Sequence, residues 1–257
     1  MAPEQIRWVR PREAWFLDRA QLQPFEQVGA LMEGAAHEAE AGANATDVPD
    51  LFHRLEKAGR VMRLNEDLEP TMYRVTMLSR RELADLKKIT GVIRRGHVRA
   101  VEPKYLAFDD GHLSIGTKEL MVDCSAYGLA PAPPVPIFRQ DAIILQQIRH
   151  ASPTFNAALI AFLEAHRDTD DERNWLAPPN GYTSKPADIL MMLIHTWDAA
   201  ERWRGVPDVK EWISHSRLNL TRGLSAHMND PRVRAAVERY VTNLPKARKN
   251  MLALARS

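Results

Sequence analysis

Apolar residues recur at helical spacing through the second half of the chain. Phe155, Ala158, Leu159, Phe162 and Leu163 make one stripe. Leu190, Leu193, Ile194 and Trp197 make a second, and Val233, Ala236, Val237, Tyr240 and Val241 a third. Ser184 with Pro186, and Asp230 with Pro231, supply start signals: a capping side chain, then a proline whose missing N–H the first turn does not need. The acidic run from Asp168 to Glu172 reads as a solvated loop. Everything after Ser152 is therefore expected to be helical.

The first half is less regular. Ile6-Arg7-Trp8-Val9 is a short β-favouring run that stops at Pro11. Residues 13–88 read mainly as helix and loop, with one helix over 25–41 after Pro24 and another from Pro49 to Lys57, ended by Gly59. Ser79-Arg80-Arg81-Glu82 is a capping box that opens a short helix. From Gly91 the pattern predicts strands: Gly91-Val92-Ile93-Arg94, His97 to Val101, Tyr105 to Phe108, then an Asp110-Gly111 turn followed by Leu113 and Ile115. Leu120-Met121-Val122 reads as a buried strand ending at Asp123-Cys124-Ser125-Ala126, with Gly128 just beyond. Pro131, Pro133, Pro134 and Pro136 form an extended connector. Ile143-Ile144-Leu145 reads as one more strand.

Composition narrows the class. The chain has 257 residues, 45% hydrophobic and 26% charged, with a net charge of +2. That is enough to bury a core, and the charge balance does not point to nucleic acid. Cys124 is the one cysteine, so neither an intramolecular disulfide nor a cysteine-based zinc site can form. No apolar run approaches the ~18–20 residues of a membrane span. A cytoplasmic location is expected.

No GxSxG elbow, P-loop, HExxH or CxxC motif is present. His195 lies within the second stripe and reads as a packed helix residue. Cys124 reads as a small buried residue at a strand end. Two places invite a functional reading. Arg10-Pro11-Arg12 follows the opening strand. In a dinucleotide-binding unit this position faces the adenosine ribose, where arginine accommodates a 2′-phosphate; the alternative is a pair of surface arginines. The second place is the stretch from Val122 to Gly128, whose small residues at a strand end allow a ligand or backbone to come close.

In this order and spacing, these features resemble the C-terminal part of oxidoreductases with two dinucleotide-binding domains, of the pyridine-nucleotide oxidoreductase and flavin-containing monooxygenase type. The resemblance covers roughly residues 5–165. It implies an α/β fold of incomplete Rossmann-like sheets, a small β-meander and a mainly helical C-terminal third. Residues 1–119 would belong to an NAD(P)-binding domain, 120–165 to an FAD-binding domain re-entered by the chain, and 166–257 to a helical region. Arg10 and Arg12 would contact NADP. Cys124, Ser125, Ala126 and Gly128 would stand at an ATG-like turn. Gln146, Ser152 and Thr154 would face FAD near the start of the last helix of that domain. The chain departs from the pattern in having no GxGxxG, and both glycine fingerprints would lie before Met1. The expectation is thus a fragment, inactive alone, that needs a missing N-terminal segment or associates as a homo-oligomer. The alternative is a non-enzymatic helical interaction module built on Trp175, Trp197, Trp203 and Trp212.

Overall fold

The computed structural model describes residues 2–125, 132–181 and 183–256. It is a mixed α/β structure in which small sheets are packed among helices. Strand β1 (Arg7–Val9) comes first, then β2 (Ala14–Asp18), helix α1 (Val28–Asn44) and helix α2 (Val48–Lys57). Strands β3 (Val61–Arg63) and β4 (Met72–Leu78), helix α3 (Arg80–Lys87) and strand β5 (Gly91–Ile93) follow. Next are β6 (Ala100–Val101), β7 (Tyr105–Phe108), β8 (Gly111–Ser114), β9 (Phe138–Arg139) and β10 (Ala142–Ile143). The remainder is helical: α4 (Pro153–His166), α5 (Asp170–Leu176), α6 (Asp188–Arg204), α7 (Pro207–His215) and α8 (Pro231–Leu254).

Strand β1 runs parallel to β5, with Arg7 opposite Gly91 and Val9 opposite Ile93. Gly91 is required here because a Cβ on it would meet the Ile6 carbonyl oxygen at 2.6 Å. The run from Gly91 therefore belongs to a parallel ladder with β1, and the meander proper is the antiparallel set β6-β7-β8. Its tight turn uses Gly111 at φ +124, a conformation open to glycine.

Residues 13–88 hold more than helix and loop. They contain the three-stranded sheet β3-β2-β4, with β2 antiparallel to β3 and parallel to β4. The local sequence hid β2 and β3 because they are short and the apolar run Trp15-Phe16-Leu17 does not alternate. Only the sheet decides that Trp15 and Leu17 face inward. The helix expected over 25–41 starts at Val28, after a 3-10 turn, and runs on to Asn44.

Three other expectations are corrected. Leu120-Met121-Val122 joins no ladder and is exposed, Leu120 at 81% and Val122 at 71%. A strand needs a partner edge, and the described residues offer none there. Cys124 is likewise exposed instead of buried. The run at Ile143 contributes only Ala142 and Ile143 to a hairpin with Phe138–Arg139, and Leu145 points to solvent. The buried apolar residues of this region are Ile137, Phe138 and Ile148.

Two apolar cores share α6. The larger holds Trp15, Phe52 and Tyr73 with Ile189 through Trp197. The smaller holds Phe155, Leu159 and Leu163 with Ala199 and Trp203. Trp15 stacks on Phe52 at 5.2 Å, worth about 0.5–1.5 kcal/mol beyond the area it buries. Helix α8 lies along α1. Arg239 bridges Glu33 and Glu40, and Asn250 donates to the carbonyls of Gly42 and Ala45. No helix among the described residues is long and apolar enough to cross a membrane.

Candidate functional site

The segment 146–154, leading into α4, is held by side chains from three directions. Gln146 pairs with the Val135 backbone, donating Nε2 to its carbonyl at 2.6 Å and accepting its N–H at 3.1 Å. The side chain is thus fully engaged in tying down the proline-rich connector. Asn180, 3% exposed, donates its backbone N–H to the Gln147 carbonyl and its Nδ2 to the Ile148 carbonyl. Asn156 accepts the Arg149 N–H at 3.0 Å and donates to the Arg149 carbonyl at 2.8 Å. Thr196 on α6 accepts the His150 N–H at 3.2 Å and lies the same distance from its Nδ1. Three buried or half-buried polar residues therefore fix the backbone from Gln147 to His150. Such fixed, hydrogen-bonded networks specify one conformation.

The fixed segment carries strain and unmet hydrogen-bonding capacity. Ala151 sits at φ +57, left-handed and rarely adopted by a residue with a Cβ. Ser152 is buried at the N-cap of α4, yet its hydroxyl caps no helix N–H and finds no partner among the described residues. Pro153 and Thr154 are exposed in the first turn. His150 is half-buried, and desolvation lowers its pKa from the ordinary 6.5, with Arg60 and Arg149 adding and Glu38 opposing.

Arg149 lies on the same segment. Its guanidinium carbon is 4.0 Å from the Phe155 ring centre and 5.3 Å from that of Trp203, and Nη1 donates to Asn219 at 3.0 Å. Burial pushes its pKa down to about 10, opposed only by Tyr240. Burial in turn pushes the Tyr240 hydroxyl up to about 12.

A second group stands at the carboxyl ends of β1 and β5. Arg10 continues the ladder by donating its N–H to the Ile93 carbonyl. Its side chain lies 5.0 Å from the Trp8 ring and pairs with Glu13 at 2.9 Å, and Arg94 donates to the same carboxylate oxygen at 3.0 Å. Arg12 is exposed and makes no ion pair among the described residues. Two arginines thus share one carboxylate, with Arg12 exposed beside them in the sequence, so the stretch keeps surplus positive charge.

The sequence-predicted residues do not all converge. Cys124 and Ser125 lie on an exposed strip, where Ser125 donates its N–H and hydroxyl to Asp123. Ala126 and Gly128 lie outside the described residues. No hydrogen bond among the described residues joins Arg10 or Arg12 to the 146–154 segment. A recess of about 240 Å³ beside α2 and α3 is lined by Arg63, Arg80 and Lys87. These cations already pair with Glu56, Asp18 and Glu66. Among the described residues no cluster of His, Cys, Asp and Glu is placed to hold a metal.

Sequence reasoning missed Arg149, Asn156, Asn180 and Thr196. The available signal was a polar residue interrupting an apolar stripe: Asn156 between Phe155 and Leu159, and Thr196 between Ile194 and Trp197.

Two mycobacterial proteins are similar to this chain, one from Mycobacterium tuberculosis and one from Mycobacterium bovis, each described as uncharacterized. Each is 35% identical over 241 residues, covering 92% of this chain and 44% of the relative. The chain thus spans somewhat less than half the length of the curated relatives it matches. No protein-family model matches it, and no solved structure matches it.

Proposed function

We propose that the chain is part of a flavin-dependent, NAD(P)H-using oxidoreductase of the cytoplasm, contributing the phosphate-side arginines of an NADP site and the flavin-facing start of α4. The observation that carries the reading is the parallel β1–β5 pair with arginines clustered at its carboxyl end. Parallel strands seldom stand as a lone pair, and in open α/β sheets ligands bind beyond the carboxyl ends of the strands. A Rossmann-like sheet extended by further strands is the natural context for such a pair.

The residues present fit part of such a site. Arg12 offers a guanidinium fork that pairs with no carboxylate among the described residues, and Arg10 and Arg94 add charge shared with Glu13. Ser152 has an unengaged hydroxyl, and the first turn of α4 presents N–H groups and the positive end of a helix dipole. Gln146 is committed to Val135 and serves the site by holding the connector in place. The glycine loops that cradle pyrophosphates are not in this sequence. In this reading they belong to the part of the longer relatives that the chain does not cover. The nucleotides supply hydride chemistry when bound; the residues here bind, orient and exclude water. Of the four tryptophans of the interaction-module reading, Trp197 and Trp203 are buried in the cores, Trp212 is half-buried and Trp175 is exposed.

The test is nucleotide binding and flavin absorbance. Arg12→Ala should weaken NADPH binding about tenfold or more while leaving NADH binding unchanged, since one charge-assisted hydrogen bond is worth about 1.5–3 kcal/mol. The mycobacterial relative, purified and freed of loose ligand, should keep flavin bands. A colourless relative that ignores NADPH would overturn the proposal.

A further inference from the structure

Several arginines withdrawn from solvent come with a carboxylate. Arg10 has Glu13, Arg60 has Glu38, Arg63 has Glu56, and Arg167 has Glu172 and Asp208. Arg149 does not. It is half-buried, and its hydrogen bond among the described residues runs from Nη1 to a neutral partner, Asn219. Phe155 and Trp203 hold the guanidinium plane, and neither compensates its charge as a carboxylate would. Leaving a cation desolvated and unpaired is costly. The protein nevertheless fixes this one through the Asn156 bonds to the Arg149 backbone. The Nε and Nη2 edge, the side of the guanidinium that grips two oxygens at once, makes no hydrogen bond with the described residues.

We propose that Arg149 is the anchor of an oxyanion-binding site, taking a phosphate or carboxylate group on its free Nε/Nη2 edge. Asn219 holds the opposite side of the fork, and Phe155 and Trp203 set its plane. The strained turn at Ala151 and the buried Ser152, whose hydroxyl has no partner among the described residues, lie next along the chain. This site is separate from the Arg10–Arg12 patch and stands whether or not the chain handles nucleotides.

The test uses the intact chain at constant ionic strength, titrated with inorganic phosphate in one arm and malonate in the other. Tryptophan fluorescence, with Trp203 beside the guanidinium, and the melting temperature are read together. The expected result is a saturable response in at least one arm, phosphate marking a phosphate-type ligand and malonate a carboxylate. In Arg149→Met the response should weaken at least tenfold while the melting temperature without anion stays level or rises, because an uncompensated charge has gone. Arg149→Lys keeps the charge and loses the fork; it should fold normally and bind about tenfold more weakly, which covers the case of a methionine variant that fails to fold. No saturable response in either arm, or an undiminished response in Arg149→Met, overturns the proposal. A lowered melting temperature with unchanged anion binding assigns Arg149 a packing role and overturns it equally.

Discussion

Replacing Asn156 by leucine tests the claim that buried polar residues hold the segment before α4. Asn156 is 2% exposed and makes three side-chain bonds in this region: two to the Arg149 backbone and one, at 2.7 Å, to Gln147 Oε1. Leucine has similar bulk, so little cavity cost is expected. The Gln147 side chain can turn toward water. The Arg149 N–H and carbonyl lose their bonds in a half-buried place. Each unsatisfied buried group costs about 1–3 kcal/mol, so the expected loss is roughly 2–6 kcal/mol, centred near 4. For a chain of this size about 2–4 °C accompanies each kcal/mol, which places the melting temperature roughly 8–16 °C lower. Urea unfolding followed by far-UV circular dichroism gives the free energy directly. Native-state hydrogen exchange should show the amide of Arg149 losing protection first. A loss below about 1 kcal/mol with an unchanged denaturant slope would refute the reasoning, since the segment would then be held by something other than Asn156.

Glu38 and Arg60 form a buried pair, with Arg60 donating Nε and Nη2 to one carboxylate oxygen at 2.9 and 2.7 Å. Either single change, Glu38→Gln or Arg60→Met, should cost about 3–5 kcal/mol; combining Arg60→Met with Glu38→Leu should recover most of it in a double-mutant cycle, and additive losses would argue against a coupled pair. His150 has a folded pKa below its unfolded value, so the unfolded chain binds more protons between the two. Its stabilisation is therefore complete above about pH 6.5 and is lost as pH falls through the depressed folded value; His150→Gln should flatten the stability profile there, and an unaltered profile would count against it. Ser79→Ala removes the side chain that accepts the Glu82 N–H at 3.1 Å and should lower stability by about 1 kcal/mol in chemical denaturation.

The legible parts of this fold are those governed by local physics. The Ser79–Glu82 capping box, the proline starts at Pro49 and Pro231, and the three apolar stripes each reappear as helix α3, α2, α8, α4 or α6, whereas the start expected at Ser184 and Pro186 falls just ahead of α6, which opens at Asp188 with Ala187 at its N-cap. The Asp110-Gly111 turn reappears as the β7–β8 connection. What escaped depends on distant partners. Trp15-Phe16-Leu17 reads equally well as helix until Val61 and Met77 arrive to pair with Leu17. Leu120-Met121-Val122 has every local property of a buried strand and lacks an edge to join. Arg149 looks like any surface arginine until Phe155, Trp203 and Asn219 are brought around it from three other parts of the chain. Site residues of that kind are written in tertiary contacts.

The seating of α8 on α1 also dictates when the protein can fold. Asn250 reaches the Gly42 carbonyl across 208 residues of sequence. Gly29 and Gly42 leave room for Val233, Met251 and Ala247 at that seam. During synthesis at about 5–20 residues per second, α1 emerges roughly 10–40 s before the helix that covers it. For that interval its small-residue face stays open to water and to other nascent chains. The later of the two helices is thus the one that covers the earlier, and the larger core is sealed only once α8 has emerged.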